Sequence, residues 1–312
     1  MLQLVAFRLT CAIALHAIIT AMKSLSDSLF RFLFEHAPIR GERVHLDESW
    51  RNVLDRHNYP PLLRKLMGEL TAAAVLLAAT LKLDGSLLLQ IQGTGPIKLL
   101  VVECGGDLKL RATAKWEGEL QGSLSELLGD GRFVITLIQK DGKPAYQGIV
   151  ELAGESIAEI LQNYMSHSEQ LDTRLWLAVD DHSASGMLLQ KLPDQAEEDV
   201  DAWSRFTQLT DTLRDEELMQ LSTQALLLRL FHEEEVRLFE AQPVTFCCSC
   251  SRDNVAQMLR MLGAEEVDAI LTERTTIEVN CEFCNHHYEF DKVDAAQIFS
   301  ATAQVAGSEM RH

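Results

Sequence analysis

Five of the chain's seven cysteines fall between residues 247 and 284, three in "FCCSC" (246–250) and two in "CEFC" (281–284). Thiolates offered as close pairs from two separate turns match the tetrahedral, soft-ligand preference of zinc. This part of the chain is therefore expected to fold around a metal. Cys281 and Cys284 form a C-x-x-C knuckle between two short strands, "TTIEVN" and "HHYEF". The upstream pair is open: Cys247 with Cys250 gives C-x-x-C, and Cys248 with Cys250 gives C-x-C. Spacing alone favours the first, as in a zinc ribbon. Between the pairs, "SRDNVAQMLRMLGAEEVDAILTE" reads as two helices with Gly263 as the C-cap of the first.

Four thiolates close a tetrahedral shell, whereas a catalytic zinc keeps one position for water. The site is thus structural or a sensor, and hydrolase or deaminase chemistry is disfavoured. Nucleic acid is an unsuitable partner, because phosphate binding draws on clustered Lys and Arg. The chain carries a net charge of −18, and from Phe246 to Phe299 acidic residues outnumber Arg252, Arg260, Arg274 and Lys292. Thiolates are also the oxidisable form of cysteine. An odd, clustered set of cysteines does not form a secreted disulfide framework, which favours a reducing cytoplasm.

At 312 residues and 47% hydrophobic, the chain has core material for one large or two modest domains. The opening "MLQLVAFRLTCAIALHAIITA" is apolar with one Arg and a poor positive n-region. Residues 1–21 could pass as a weak signal peptide, but they are read as a doubtful extension from an upstream start site, with the mature protein expected to begin at or near Met22. No internal stretch reaches the length of a membrane span.

Residues 22–192 mix helix and strand. "LDESWRNVLDRHNYPPLLRKLMGELTAAAVLLAATLK" is helical, broken at Pro60 and Pro61, and its second helix is apolar nearly all round and should be buried. "SLLLQIQGTGPIKLLVVECGGDLKLRATAKW" reads as three strands, and "RFVITLIQKDGKPAYQGIVEL" as a hairpin around Asp141-Gly142. The helix "SIAEILQNYMSHSEQ" and the strand "RLWLAV" follow. That order gives an α+β fold rather than a βαβ repeat. Residues 193–243 are expected to be a charged helical linker, 244–300 the thiol-bearing domain, and 301–312 a tail.

Other features carry less. "GTGPIK" has a phosphate-loop look but lacks the following Lys-Ser or Lys-Thr, so it reads as a strand turn. Cys104 is expected to be a buried, inert thiol, and Cys11 lies in the doubtful extension. His286 and His287 could be ligands, but four thiols already fill the shell, so one of them is read as an exposed strand residue. "HEEEV" (232–236) lacks the second His of a zinc-protease motif and reads as a charged helix face or linker element.

The stretches "RFLFEHAPIRGERVHL", "GTGPIKLLVVEC", "YQGIVEL", "YMSHSEQ", "GMLLQKLP" and "LFHEEEVRLFE", in that order and ending in the thiol module, resemble the heat shock protein 33 family, the redox-regulated 33 kDa chaperonins. The resemblance implies an α/β N-terminal domain, a helical linker and a small C-terminal zinc domain. It implies an ATP-independent holdase for unfolded client proteins rather than an enzyme, inactive when reduced and zinc-bound. Oxidation would release zinc, form a disulfide within each close pair and expose client-binding surface, usually in a homodimer. The family pattern is C-x-C then C-x-x-C, which makes Cys248, Cys250, Cys281 and Cys284 the zinc ligands and redox-active residues. Cys247 departs from that pattern. The competing reading is a constitutive zinc-ribbon interaction module whose zinc is purely structural.

Overall fold

In the computed structural model, residues 27–81, 83–192 and 199–308 are described; the extension 1–21, most of the acidic stretch after Leu192 and the last four residues lie outside them. The chain forms two compact units, the first ending at Cys247 and the second beginning at Cys248.

The first unit is organised around one helix. After the short helix α1 (Glu48–Leu54), α2 (Pro61–Thr80) starts with proline at its first position, where no intrahelical N–H bond is needed. From Met67 to Ala79 every residue of α2 is buried, as its all-round apolar sequence predicts. Its alanines allow close approach on several sides. Gly68 shows the limit: a Cβ there would sit 2.7 Å from the Val179 side chain and 3.1 Å from Trp50.

Two six-stranded sheets pack on this helix. The first joins β1 (Ser28–Phe34), β2 (Ile39–Leu46), β8 (Thr173–Val179) and β9 (Ala184–Lys191) in the order β1-β2-β9-β8. The second is built on β3 (Gly85–Gln92), β4 (Ile97–Gly105), β5 (Lys109–Trp116), β6 (Arg132–Gln139) and β7 (Pro144–Val150), ordered β5-β4-β3-β6-β7. The Gly93–Pro96 segment is the turn from β3 to β4, with no helix after it. Gly142, at φ +81°, makes the β6–β7 turn. The short α3 (Leu124–Leu128) and the amphipathic α4 (Ile157–His167) complete the core.

Successive residues of a strand face opposite sides, and the first sheet uses both. Leu29, Val44 and Leu188 join the core around α2, while Phe32, Phe34, Ile39, Met187 and Leu189 form a second core on the other face. Three helices from the expected linker cover that face: α5 (Ala202–Thr210), α6 (Asp215–Gln220) and α7 (Thr223–Phe231). Phe34 stacks on Phe206 at 4.1 Å between centroids and meets Phe231 edge-on at 4.9 Å.

The helical expectation fails after Phe231. Residues 236–243 form strands β10 (Val236–Leu238) and β11 (Gln242–Pro243), both paired antiparallel to β1. The edge of β1 offers unpaired backbone groups, and satisfying them outweighs the weak helical pattern of this short, charged stretch. "HEEEV" accordingly runs from the C-cap of α7 through a turn to the first residue of β10. Next, β12 (Thr245–Phe246) pairs parallel to β5, so the chain leaves the first sheet for the second before reaching the cysteines.

Arg43 fastens the helical layer. It projects from β2, fully buried, and donates to Leu218 O at 3.0 Å, Leu221 O at 2.7 Å and Thr223 Oγ1 at 3.2 Å. Two of these acceptors are carbonyls at the end of α6, which have no intrahelical partner. Burial pushes the guanidinium down to about 10. Leucine at this position would leave those carbonyls unpaired, which costs about 2 kcal/mol. Arg43→Leu is therefore expected to speed amide hydrogen exchange across 202–231 by about 30-fold while leaving β3 and β4 unchanged. Equal protection of 202–231 in both proteins would remove this role from Arg43.

Candidate metal centre

The second unit holds a small core: Ala256, Leu259, Val267, Leu271, Ile277, Tyr288, Phe290, Ala295 and Ile298. Its elements are α8 (Arg252–Leu262), α9 (Ala264–Glu273), the hairpin of β13 (Ile277–Asn280) and β14 (His287–Phe290), and α10 (Lys292–Ser308). The two helices between the cysteine pairs and the junction at Gly263, φ +98°, match the sequence reading. The helix α10 was not anticipated, and it runs past residue 300 into the expected tail.

Each cysteine pair is held by local hydrogen bonds. Ser251 caps α8 by accepting from the Asn254 N–H at 3.1 Å, and the Asn254 side chain donates back to Ser249 O at 2.9 Å. This fixes the segment that carries Cys248 and Cys250. In that segment exposure alternates: Cys247 and Ser249 are exposed, Cys248 and Cys250 half-buried. At the knuckle, the Cys281 N–H donates to His286 O at 2.9 Å and the Asn285 N–H to Cys281 O at 2.7 Å. Asn285 adopts φ +54°, a left-handed conformation that asparagine tolerates. Arg252 then joins the arms, with its guanidinium 4.2 Å above the Phe290 ring, donating to Glu289 O and paired with Asp294, each at 2.8 Å.

These contacts bring the sulfurs of Cys248, Cys250, Cys281 and Cys284 within 4.8 Å of one another. The short approaches run across the two motifs, 3.6 Å from Cys248 to Cys281 and 3.3 Å from Cys250 to Cys284. All four are free thiols. Metal–sulfur bonds of about 2.3 Å in a tetrahedron set the sulfurs about 3.8 Å apart, so this cluster fits a zinc ion with little movement. Cys247 is not part of the cluster; it is exposed at the end of the first unit, with its N–H donating to Leu110 O. Cys104 is buried in β4, and burial pushes its thiol up to about 12. His287 is exposed and hydrogen-bonds the Asn280 side chain at 2.8 Å, and His286 packs edge-on against Tyr288.

Charge within the cluster is uneven. Burial raises Cys250, but the Tyr288 hydroxyl and the other thiols donate to its sulfur and bring it down to about 7. Burial and its place as donor in that network push Cys284 well up, and burial raises Cys248. The Tyr288 hydroxyl lies 3.2 Å from Cys250 Sγ, and its ring is part of the unit's core. Groups of this kind orient metal ligands from behind. Tyr288→Phe should lower zinc affinity about 10-fold, as measured by competition with a chromophoric chelator. Unchanged affinity would show that the hydroxyl is not needed. Sequence reading missed Tyr288, although the alternation of β14 puts it on the inward face with Phe290.

Comparison with known proteins follows the same outline. The Hsp33 protein family model matches residues 27–291. The chain is 58% identical over 291 residues to the 33 kDa chaperonin of Methylobacillus flagellatus, covering 92% of this chain and 99% of that protein. It is 51% identical over 289 residues to the 33 kDa chaperonin of Chromobacterium violaceum, covering 92% and 98%. The crystal structure of the 33 kDa chaperonin from Thermotoga maritima matches with a TM-score of 0.76 over 89% of this chain and 99% of that one; at 21% identity the likeness is one of fold.

Proposed function

The chain belongs to the Hsp33 family, and from that premise we propose that it is a redox-regulated, ATP-independent holdase that binds unfolded client proteins and catalyses no reaction. The observation that carries this reading is the cluster of four free cysteine sulfurs within 4.8 Å, set in a unit with a small core.

Cys248, Cys250, Cys281 and Cys284 would hold one zinc ion in the resting state. When bound, zinc keeps the four thiolates deprotonated and cross-links the two arms of the unit. The activating step belongs to the cysteines. Cys281 with Cys284, and Cys248 with Cys250, each give two electrons to a peroxide, whose O–O bond breaks to yield two waters with two protons taken up. One disulfide forms per pair, in the pairing implied by the family resemblance. The short sulfur approaches run across the motifs, so pairing within each motif separates sulfurs that now face each other. It also leaves no covalent link between the arms.

A unit with so little core loses most of its folding energy when its metal ligands are consumed. The helices over 202–231 would then be released and apolar surface made available to clients. A homodimer in the oxidised state and a cytoplasmic location, where resting thiols stay reduced, complete the proposal. Among the described residues no helix is long and apolar enough to cross a membrane. The test is an aggregation assay without ATP on reduced and oxidised protein, with zinc measured in parallel. Equal activity in both states would favour a structural zinc and a constitutive interaction module.

A further inference from the structure

Six methionines lie among the described residues, and they divide sharply. Met67 and Met187 are fully enclosed, and Met165 and Met219 are 8% and 9% exposed. Met258 and Met261 are 45% and 77% exposed, with Leu262 beside them at 51%. Positions i, i+3 and i+4 share one helix face, so both accessible thioethers sit together on the outer side of α8. The opposite side carries Ala256 and Leu259 into the core. This is the helix whose first turn follows Cys250 and whose Arg252 joins the two arms of the metal centre.

We propose that Met258 and Met261 form a second oxidation site, one that responds to oxygen-transferring oxidants and is silent to reagents that only make disulfides. Hypochlorous acid is the oxidant class. Its oxygen bonds to the thioether sulfur, the O–Cl bond breaks, and chloride and a proton leave. Sulfur is oxidised by two electrons and chlorine reduced by two. The product sulfoxide is polar and is not reversed by the thiol reductants that reopen disulfides, since its return needs a methionine sulfoxide reductase. Because the site faces away from the core, its oxidation changes the surface of α8 from apolar to polar without unpacking the unit. Hypochlorite would thus leave a mark that outlasts the reduced thiols, and a disulfide-forming reagent would leave none. This inference does not depend on the zinc switch.

The experiment treats the full-length, zinc-loaded protein with hypochlorite or, separately, with diamide, then restores it with a thiol reductant and zinc. Peptide mass spectrometry should find a retained oxygen, about 16 Da, at Met258 and at Met261 after hypochlorite, with Met67, enclosed in the core around α2, at least about 10-fold less modified. Diamide should leave none. Met258→Leu/Met261→Leu should lose the retained mass and keep its circular dichroism, since both positions are on the surface. The restored wild-type protein should rebind zinc and recover its original spectrum. Equal oxygen at Met67, or none at 258 and 261 at doses that oxidise all the thiols, would overturn the site. Failure of the sulfoxide-bearing protein to refold would overturn its separation from the core.

Discussion

Peroxide at elevated temperature, or hypochlorite, is expected to release one zinc per chain, to join Cys281 to Cys284 and Cys248 to Cys250, and to turn on suppression of client aggregation without ATP. A bridge between positions i and i+2 lies within the Cα range of a disulfide, though under strain, so thiol reductants should open it readily. The first unit indicates where proteolysis should follow. Helices α5 to α7 contribute Phe206, Leu226, Leu230 and Phe231 to a core separate from that of α2, over a sheet face carrying Phe32, Phe34, Ile39, Met187 and Leu189. Lifting them would uncover those side chains while the α2 core stays intact. Limited proteolysis should therefore cut between Trp203 and Glu240 only after oxidation, and β3 to β6 should resist throughout. Reductant together with zinc should reverse both cleavage and activity. An oxidised, zinc-free protein that stays resistant and holds no client would defeat the switch and leave the structural-zinc reading in place.

Much of this architecture is visible in the amino-acid order because local chemistry and packing agree. The Ala- and Leu-rich run to Thr80 is apolar on all sides, and only a helix enclosed between layers satisfies it. Gly142 and Gly263 mark a turn and a helix end that side chains with a Cβ would resist. The misreading at Val236–Pro243 has a different origin. Whether that stretch is a strand depends on the free edge of β1, some two hundred residues earlier, which no local pattern reports. At the cysteine cluster, spacing favoured Cys247 with Cys250, yet the cluster takes Cys248. In the structure Cys247 and Ser249 are exposed while Cys248 and Cys250 are half-buried. Which upstream cysteine joins Cys250 depends on where the second arm lies, and spacing does not report that. The roles of Arg252, Asn254 and Tyr288 follow from where the two arms meet, and a one-dimensional pattern does not contain that.

Serine at Cys248, Cys250, Cys281 or Cys284 is expected to reduce zinc affinity a hundredfold or more, and Cys247→Ser to leave one zinc per chain. A structural zinc site contributes roughly 10–16 kcal/mol through its ligands at neutral pH. A serine hydroxyl stays protonated there and is a poor soft-metal donor, so one substitution should cost about 3 kcal/mol or more, with every 1.4 kcal/mol a factor of ten. The four positions should behave alike, because each sulfur closes the same cluster. Cys247 differs on every count: its side chain is exposed, it lies outside the cluster, and its backbone N–H is engaged with Leu110 O. The folding consequence separates the same two classes. With a core no larger than that around Leu259, Leu271 and Phe290, the second unit of a ligand variant should lose amide dispersion in its NMR spectrum while the first unit keeps its own. Cys247→Ser should keep both. Zinc lost from Cys247→Ser but retained by Cys248→Ser would overturn the C-x-C assignment and return the upstream arm to the C-x-x-C spacing of a zinc ribbon.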